Sequence, residues 1–229
     1  MDMKNKRTSE ERLQRLEAYM EISNLMGRYA HWHVPGLRTE QASLFSTRDD
    51  TFAEMLWGRY YGKSGIDRLY PGLHVAAVPH PEGHMCIHSM QTPVIEVAED
   101  LQTAKGLWMS PGVMTNSNPD GSLVGKWCWI KYAADFILED GVWKIWHLRT
   151  PGMFQCDFHK SWVEEGPHEV PDPQEVQDQY FATNGLRDTY GPDALAKFPH
   201  ITYSPDQVFH YDAPVPMPYD TYVPDDTWM

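Results

Sequence analysis

The run from Gly125 to Arg149, GKWCWIKYAADFILEDGVWKIWHLR, constrains the fold more than any other stretch. Two β-rich segments flank Asp140-Gly141, and a type I′ turn needs φ > 0 at both central residues, which Asp-Gly supplies. The pattern predicts one long antiparallel hairpin. Side chains alternate along a strand, so Cys128, Ile130, Tyr132, Ala134, Phe136 and Leu138 share a wholly apolar or aromatic face. The opposite face is mixed, with Trp127, Trp129, Lys131, Asp135 and Glu139. In the second arm Trp143, Ile145, His147 and Arg149 are expected to lie together, so an imidazole and a guanidinium close an apolar row. A sheet this wide and this aromatic must be covered or curled.

The rest of the chain supplies the cover. Thr8 to Glu11 fits a capping box and opens a helix. Leu13 and Leu16 start its apolar side, and Tyr19, Ile22, Met26, Tyr29 and His33 continue it at helical spacing. Pro35-Gly36 ends it. Residues 38–46 read as a second short helix with Leu44 and Phe45 buried. Thr51 to Tyr61 reads as one strand, and Ser64 caps a short helix through Ile66, Leu69 and Tyr70 that Pro71-Gly72 stops. A loop is expected over Leu73 to Gly83, then strands over 84–90, 94–99 and 104–110, and a polar loop from Pro111 to Ser122. Helices first and an antiparallel sheet after them is an α+β order.

Composition changes beyond residue 159. Of the net charge of −13, residues 160–229 carry −10, and they hold ten of the 18 prolines. The body, residues 1–159, is close to neutral, and nothing in it attracts phosphate, so nucleic acid is not an expected partner. Residues 173–184 read as one helix. Past Pro205, proline frequency favours an extended arm, and its aromatics (Phe209, Tyr211, Tyr219, Tyr222, Trp228) suit an arm lying on its own body or on a partner subunit. The N-terminus has no apolar signal region and no apolar run reaches membrane-spanning length. Three cysteines without CxxC spacing fit a reducing cytoplasm.

Four segments carry a resemblance: RYAHWH at the end of the first helix, GRYYG before the short third helix, HSMQTPVIEV on the first inner strand, and EDGVWKIWHLR at the hairpin. From about Glu10 to Arg149 the chain resembles the SnoaL-like branch of the nuclear transport factor 2-like superfamily. The resemblance implies a cone of bent antiparallel sheet closed by N-terminal helices, an apolar pocket inside, and homodimers or higher homo-oligomers built through the outer sheet face, where Trp127 and Trp129 would lie. It implies cofactor-independent dehydratases, isomerases, cyclases and lyases, or non-catalytic binders. It also implies an acid-base histidine on the strand that here carries His88. The carboxylate expected about five positions after the helix tyrosine is absent here, where His33 and Val34 stand. The inner-face aspartate of the hairpin is closest to Ala134, with Asp135 on the other parity unless a bulge shifts the register. Both departures point to a site of His, Tyr and Arg. The long, Trp-rich and His-rich form is most similar to lyases that release formaldehyde from lignin-derived diaryl diols.

The residues themselves offer His88 as general base, since imidazole titrates near working pH; a satisfied structural histidine is the other reading. His33 and Tyr29 close the apolar stripe of the first helix and join it as catalytic candidates, Tyr29 serving equally as a core aromatic. Arg149 is the candidate to hold a phenolate or carboxylate, with His147 beside it; a surface ion pair is the alternative. Arg59 and Tyr60 are candidate pocket residues, and Trp108 and Tyr132 candidate aromatic walls that core packing explains as well. No metal is expected: His84 and His88 stand about 13 Å apart at ~3.3 Å per residue of strand, too far to chelate. No GxGxxG, P-loop or GxSxG is present, so no cofactor is expected either. What remains is proton-transfer chemistry on a small hydrophobic aromatic substrate. Three readings stand: a lyase releasing formaldehyde from a diaryl diol to leave a stilbene, a dehydratase or isomerase of a polyketide, steroid or terpene alcohol, and a non-catalytic binding module.

Overall fold

The computed structural model describes residues 7–78, 81–118, 120–167, 172–182, 185–197, 201–225 and 227–229. Helix α1 (Ser9–His31) begins at the expected capping box: the Thr8 hydroxyl accepts from the Glu11 N–H at 3.2 Å, and the Glu11 carboxylate accepts from the Thr8 N–H at 2.6 Å. Its buried side starts later than expected. Leu13 and Leu16 are each 55% exposed, whereas Ala18, Ile22, Leu25, Met26 and Tyr29 are buried. The first turns project past the sheet and are tied to it by polar contacts, Arg7 to Glu99 and Arg15 to the Ala98 carbonyl.

After a 3₁₀ turn (Pro35–Leu37) and α2 (Arg38–Ala42), the expected single strand over 51–61 is a tight hairpin, β1 (Phe52–Met55) and β2 (Gly58–Tyr61). Helix α3 (Gly62–Asp67) does not stop at Pro71. It widens into a π turn (Arg68–Leu73) and continues as α4 (His74–Ala76). The wide turn accommodates the missing N–H of Pro71, and it carries His74 beyond the predicted stop. Of the loop expected over 73–83, residues 79–80 lie outside the described residues.

The sheet comprises β3 (Met85–His88), β4 (Gln91–Val97), β5 (Thr103–Ser117), β6 (Leu123–Glu139), β7 (Val142–Arg149) and β8 (Gly152–Asp157) together with β1 and β2. Its order is β2-β1-β7-β6-β5-β3, with β4 also on β5 and β8 also on β6. Every pairing between these strands is antiparallel except β1 with β7. Strand β5 runs straight through Pro111, where a loop is predicted. It changes partner there, from β4 at Met109 to β3 at Gly112, so the proline sits where the ladder asks for no N–H.

The central hairpin turns at Asp140-Gly141, both with positive φ (49° and 77°), as the dipeptide predicts. The inner face of β6 (Cys128, Ile130, Tyr132, Ala134, Phe136) enters the main core. On β7 the expected alternation breaks. Asp135 pairs with His147 and Phe136 with Ile145, so Trp146 is an extra residue, a β-bulge. A one-residue insertion reverses parity. Trp143, Ile145 and Leu148 face the core, while His147 and Arg149 face outward, against the prediction that they continue the apolar row.

Among the described residues three short helices follow: α5 (Trp162–Glu165), α6 (Pro173–Ala182) and α7 (Arg187–Tyr190). Helix α6 stacks Tyr180 on Trp57 with ring centroids 4.0 Å apart; the last two residues of the predicted helix 173–184 lie outside the described residues. Residues 202–225 form no helix or strand and cross the outer sheet face. Lys131 Nζ donates to the Asp212 and Ala213 carbonyls at 2.9 and 3.0 Å, and the Glu99 N–H donates to the Tyr219 carbonyl at 3.0 Å. Fully buried Asp135 accepts from Trp228 Nε1 at 2.7 Å, from Lys105 Nζ at 3.3 Å and from the Tyr222 hydroxyl at 3.3 Å, and contacts His147 Nδ1 at 2.8 Å. Removing that carboxylate leaves a buried ammonium and an indole N–H without an acceptor. Asp135→Ala is expected to destabilise the chain by about 3–5 kcal/mol in urea unfolding, and to speed proteolytic cleavage within 201–225. Unchanged cleavage would mean that the tail is held elsewhere.

Candidate functional site

Five segments of the chain converge on the inner face near the end of α1. The last turn of α1 supplies Tyr29, and His33 follows where the chain leaves the helix. Helix α2 supplies Arg38 and Gln41, both buried at i, i+3 spacing. The π turn and α4 supply Tyr70 and His74. Strand β3 supplies Cys86 and His88 on its inward face, and β6 supplies Tyr132. Gly112 of β5 permits the close approach of β3: a Cβ there would sit 2.8 Å from His88 Nδ1 and 2.6 Å from the Ile87 carbonyl oxygen.

The rings form one connected set. His33 lies 5.4 Å from His88 and 5.9 Å from His74 between ring centroids, and His88 lies 6.3 Å from Tyr132. The Tyr29 and Tyr70 hydroxyls share a hydrogen bond of 2.9 Å. Gln41 Oε1 accepts from Arg38 Nη1 at 2.8 Å, and Gln41 Nε2 lies 3.0 Å from both the Tyr29 carbonyl oxygen and His33 Nδ1. His33, His74, Cys86 and His88 are only part-buried though deeply surrounded, so they line a recess rather than fill a solid core. Among the described residues, buried Arg38 Nε, His74 Nδ1 and His88 Nδ1 have no partner. Each such group costs about 1–3 kcal/mol when left unpaired, which marks the recess as built for something that hydrogen-bonds.

The electrostatics have one sign. Burial lowers the Arg38 pKa, yet a guanidinium keeps its charge, and the acidic groups acting on it are Cys86, Tyr29, Tyr70 and Tyr132, all protonated at neutral pH. Among the described residues no carboxylate pairs with it. Burial first, and the Arg38 charge second, hold His88 down at about 4 and His33 and His74 well below the usual imidazole value. Burial pushes Tyr29 up to about 12 against the opposing Tyr70 hydrogen bond, and Cys86 up to about 11 against Arg38. The recess therefore holds imidazoles and phenols that burial keeps neutral, beside one fixed cation able to hold an anionic oxygen. His33, Cys86 and His88 each place one ligand atom within 4.8 Å of the others. A cation there meets the Arg38 charge.

Of the residues singled out from sequence, the structure brings together His88, His33, Tyr29 and Tyr132. It places Arg149 and His147 on the outer face, because of the bulge at Trp146. Arg149 donates to Asp212 at 2.6 Å and to the Trp228 carbonyl at 2.7 Å, and His147 stacks on Phe52 at 4.5 Å. Arg59 also faces out, donating to Glu54 at 2.8 Å over the Phe52 ring. Tyr60 is buried, but its hydroxyl accepts from Trp57 Nε1 and donates to the Tyr190 carbonyl, holding β2 to the end of α7. Trp108 packs edge-on against Phe136, which is core packing. Arg38, Gln41, Tyr70, His74 and Cys86 are additions. A polar pair at i, i+3 on the helical face that Phe45 continues at i+7 was the available signal for Arg38 and Gln41. Ending the helix at Pro71 hid His74. Two hollows of about 610 and 460 Å³ lie on the outer face, the first among Trp127, Trp129, Phe154 and Trp162, the second beside Trp146 and His147. Neither is lined by Arg38, His74 or His88, whose unpartnered nitrogens place the candidate site inside.

A curved, mostly antiparallel sheet closed by a long N-terminal helix is the architecture of the nuclear transport factor 2-like class. Within it the chain belongs to the SnoaL-like domain family, whose model matches residues 14–149. Similar solved structures include LinA, at 18% identity over 71% of this chain and 99% of that one with a TM-score of 0.52. Another is the hexachlorocyclohexane dehydrochlorinase LinA-type3 from Novosphingobium barchaimii LL02, at 20% identity over 70% of this chain and 99% of that one with a TM-score of 0.51. Identities this low establish the fold alone. No curated protein matches the chain. Among the described residues no helix is long and apolar enough to cross a membrane.

The depressed histidines carry a stability consequence. Their folded pKa values lie below the unfolded value, so between the two the unfolded chain binds more protons. The stability is whole above pH 6.5 and falls as pH drops from there toward about 4 for His88. The loss is about 1.4 kcal/mol per pH unit for each histidine kept neutral. Urea midpoints measured from pH 7 to pH 5 are expected to fall, and to fall less steeply in His88→Gln. Parallel slopes for the two proteins would contradict a buried neutral His88.

Proposed function

We propose that the chain is a cofactor-independent lyase that acts on a phenolic diaryl diol, releasing formaldehyde and water to leave a stilbene. The observation that carries this reading is Arg38, a buried guanidinium without a carboxylate among the described residues, ringed by neutral imidazoles and tyrosines. Arg38 takes the role that the sequence offered to Arg149. It holds the substrate phenolate by charge-assisted hydrogen bonds. Electrons from the phenolate expel the benzylic hydroxyl, which leaves as water with a proton from the Tyr29–Tyr70 pair. His88 then takes the proton of the terminal CH₂OH group. The C–C bond breaks, its electron pair closes the new C=C bond as the quinone methide returns to phenolate, and formaldehyde leaves. The proton on His88 returns to the tyrosine pair, so the protein ends as it began. Each positioned proton transfer contributes about 10²–10⁴-fold.

A second reading, elimination of water from a hydrophobic alcohol, draws on the same neutral imidazoles, with Arg38 holding an enolate oxygen. The name of LinA-type3 as a dehydrochlorinase describes an elimination in that protein, which is consistent with either. We also infer a homodimer through the outer face bearing Trp127 and Trp129, 37% and 39% exposed, and a reducing compartment suited to three free cysteines.

The test is incubation of the purified protein with a phenolic diarylpropane diol, following stilbene absorbance and formaldehyde. Equal amounts of both are expected, with kcat lowered about 10²–10³-fold in Arg38→Met and about 10²–10⁴-fold in His88→Gln. Water loss without formaldehyde from a panel of hydrophobic alcohols would favour the second reading. No turnover of either kind would remove both.

A further inference from the structure

Among the described residues a side chain, that of Gln41, lies within hydrogen-bond distance of a His33 ring nitrogen, whereas Nδ1 of His74 and of His88 has no such partner. The Gln41 side chain is fully buried and satisfied on three sides. Its Oε1 accepts from Arg38 Nη1 at 2.8 Å, and its Nε2 sits 3.0 Å from the Tyr29 carbonyl oxygen and 3.0 Å from His33 Nδ1. Amide oxygen and nitrogen are told apart by their partners. Here two partners agree. Turning the amide over would set Oε1 against the Tyr29 carbonyl oxygen and Nε2 against the guanidinium, two contacts of like polarity. The orientation is therefore determined twice, independently of His33.

With the amide so fixed, its two N–H bonds meet two acceptors, the Tyr29 carbonyl and His33 Nδ1. An amide nitrogen does not accept, so Nδ1 must carry the lone pair. In a neutral imidazole the proton then sits on Nε2. His74 and His88 have no such constraint, since their Nδ1 atoms lack partners.

We infer that Gln41 is a positioning residue that holds His33 as its Nε2–H tautomer, making His33 a fixed hydrogen-bond donor of the recess and leaving His88 as its base. This deepens the lyase reading and rests on it for the reaction: His33 joins Arg38 in holding the substrate's anionic oxygen, and the proton from the CH₂OH group goes to His88. The same wiring explains why the trio of His33, Cys86 and His88 is not a ready cation site. A metal needs the Nε2 lone pair, and a metal-bound histidine directs its other N–H at an acceptor. Gln41 presents a donor there.

The tautomer is read without substrate. Nitrogen-15 NMR of the histidine-labelled full chain at neutral pH is expected to show His33 with a protonated Nε2 and an unprotonated, hydrogen-bonded Nδ1. A proton on His33 Nδ1, or an averaged signal, overturns the inference whatever the enzyme assay gives. Gln41→Glu supplies the reverse arm. A carboxylate loses the bond to the Tyr29 carbonyl but can accept from His33 Nδ1–H, so the tautomer is expected to invert. Nε2 then faces the trio as a lone pair, and zinc affinity is expected to rise roughly 10- to 100-fold over the unsubstituted chain, the usual worth of an outer-shell acceptor. Stoichiometric zinc retained by the unsubstituted chain after dialysis overturns the inference. A folded Gln41→Glu chain with His33 still protonated on Nε2 does so too. If the variant does not fold, the NMR of the unsubstituted chain still decides. A tautomer as inferred, with no formaldehyde formed from any diol, would instead sink the lyase reading and leave the wiring standing.

Discussion

Alternation along β6 makes one strand serve two environments back to back. Cys128, Ile130, Tyr132, Ala134 and Phe136 build the inner wall, and Lys131, Ala133 and Asp135 between them meet the C-terminal segment. The extra residue Trp146 on β7 then decides which polar groups join which side. Without it, the pairing of β6 with β7 would carry His147 and Arg149 into the core row. With it, they stand outside, where Asp135, Asp212 and the Trp228 carbonyl satisfy them. A shift of one residue costs the ladder little and reverses every side chain beyond it.

Two kinds of buried charge result. On the outer face, cations and carboxylates are matched: Arg149 with Asp212, Arg59 with Glu54, Lys105 with Asp135. Such networks fasten a segment that has no regular structure of its own and whose prolines give it no ladder to join. On the inner face Arg38 has no carboxylate among the described residues, and its neighbours stay neutral. A matched charge is structure; an unmatched one, surrounded by part-buried imidazoles, is poised for a ligand. This contrast, rather than the volume of a hollow, separates the recess from the aromatic hollows outside.

Much of the fold could be read from local pattern. The capping box at Thr8, the helical spacing from Ile22 to Tyr29, the Asp140-Gly141 turn and the inner face of β6 all depend on neighbours within a few residues, and all stand as the pattern predicts. The misreadings share a cause. Leu13 and Leu16 are apolar at the right spacing, but the sheet does not extend under them. Pro111 and Pro71 look like breaks, but a partner switch in β5 and a π turn absorb them.

The amino-acid sequence by itself determined the α+β order, the hairpin and the inward placement of Tyr29, Tyr132 and His88, because strand and helix periods are local properties of the chain. Only the tertiary structure decided that Arg38, Gln41 and His74 meet His33, and that Arg149 does not. The place of His74 depends on the turn at Pro71, that of Arg149 on the bulge at Trp146, and that of Arg38 and Gln41 on how α2 packs. Packing against distant segments settles all three, and no window of neighbouring residues contains it.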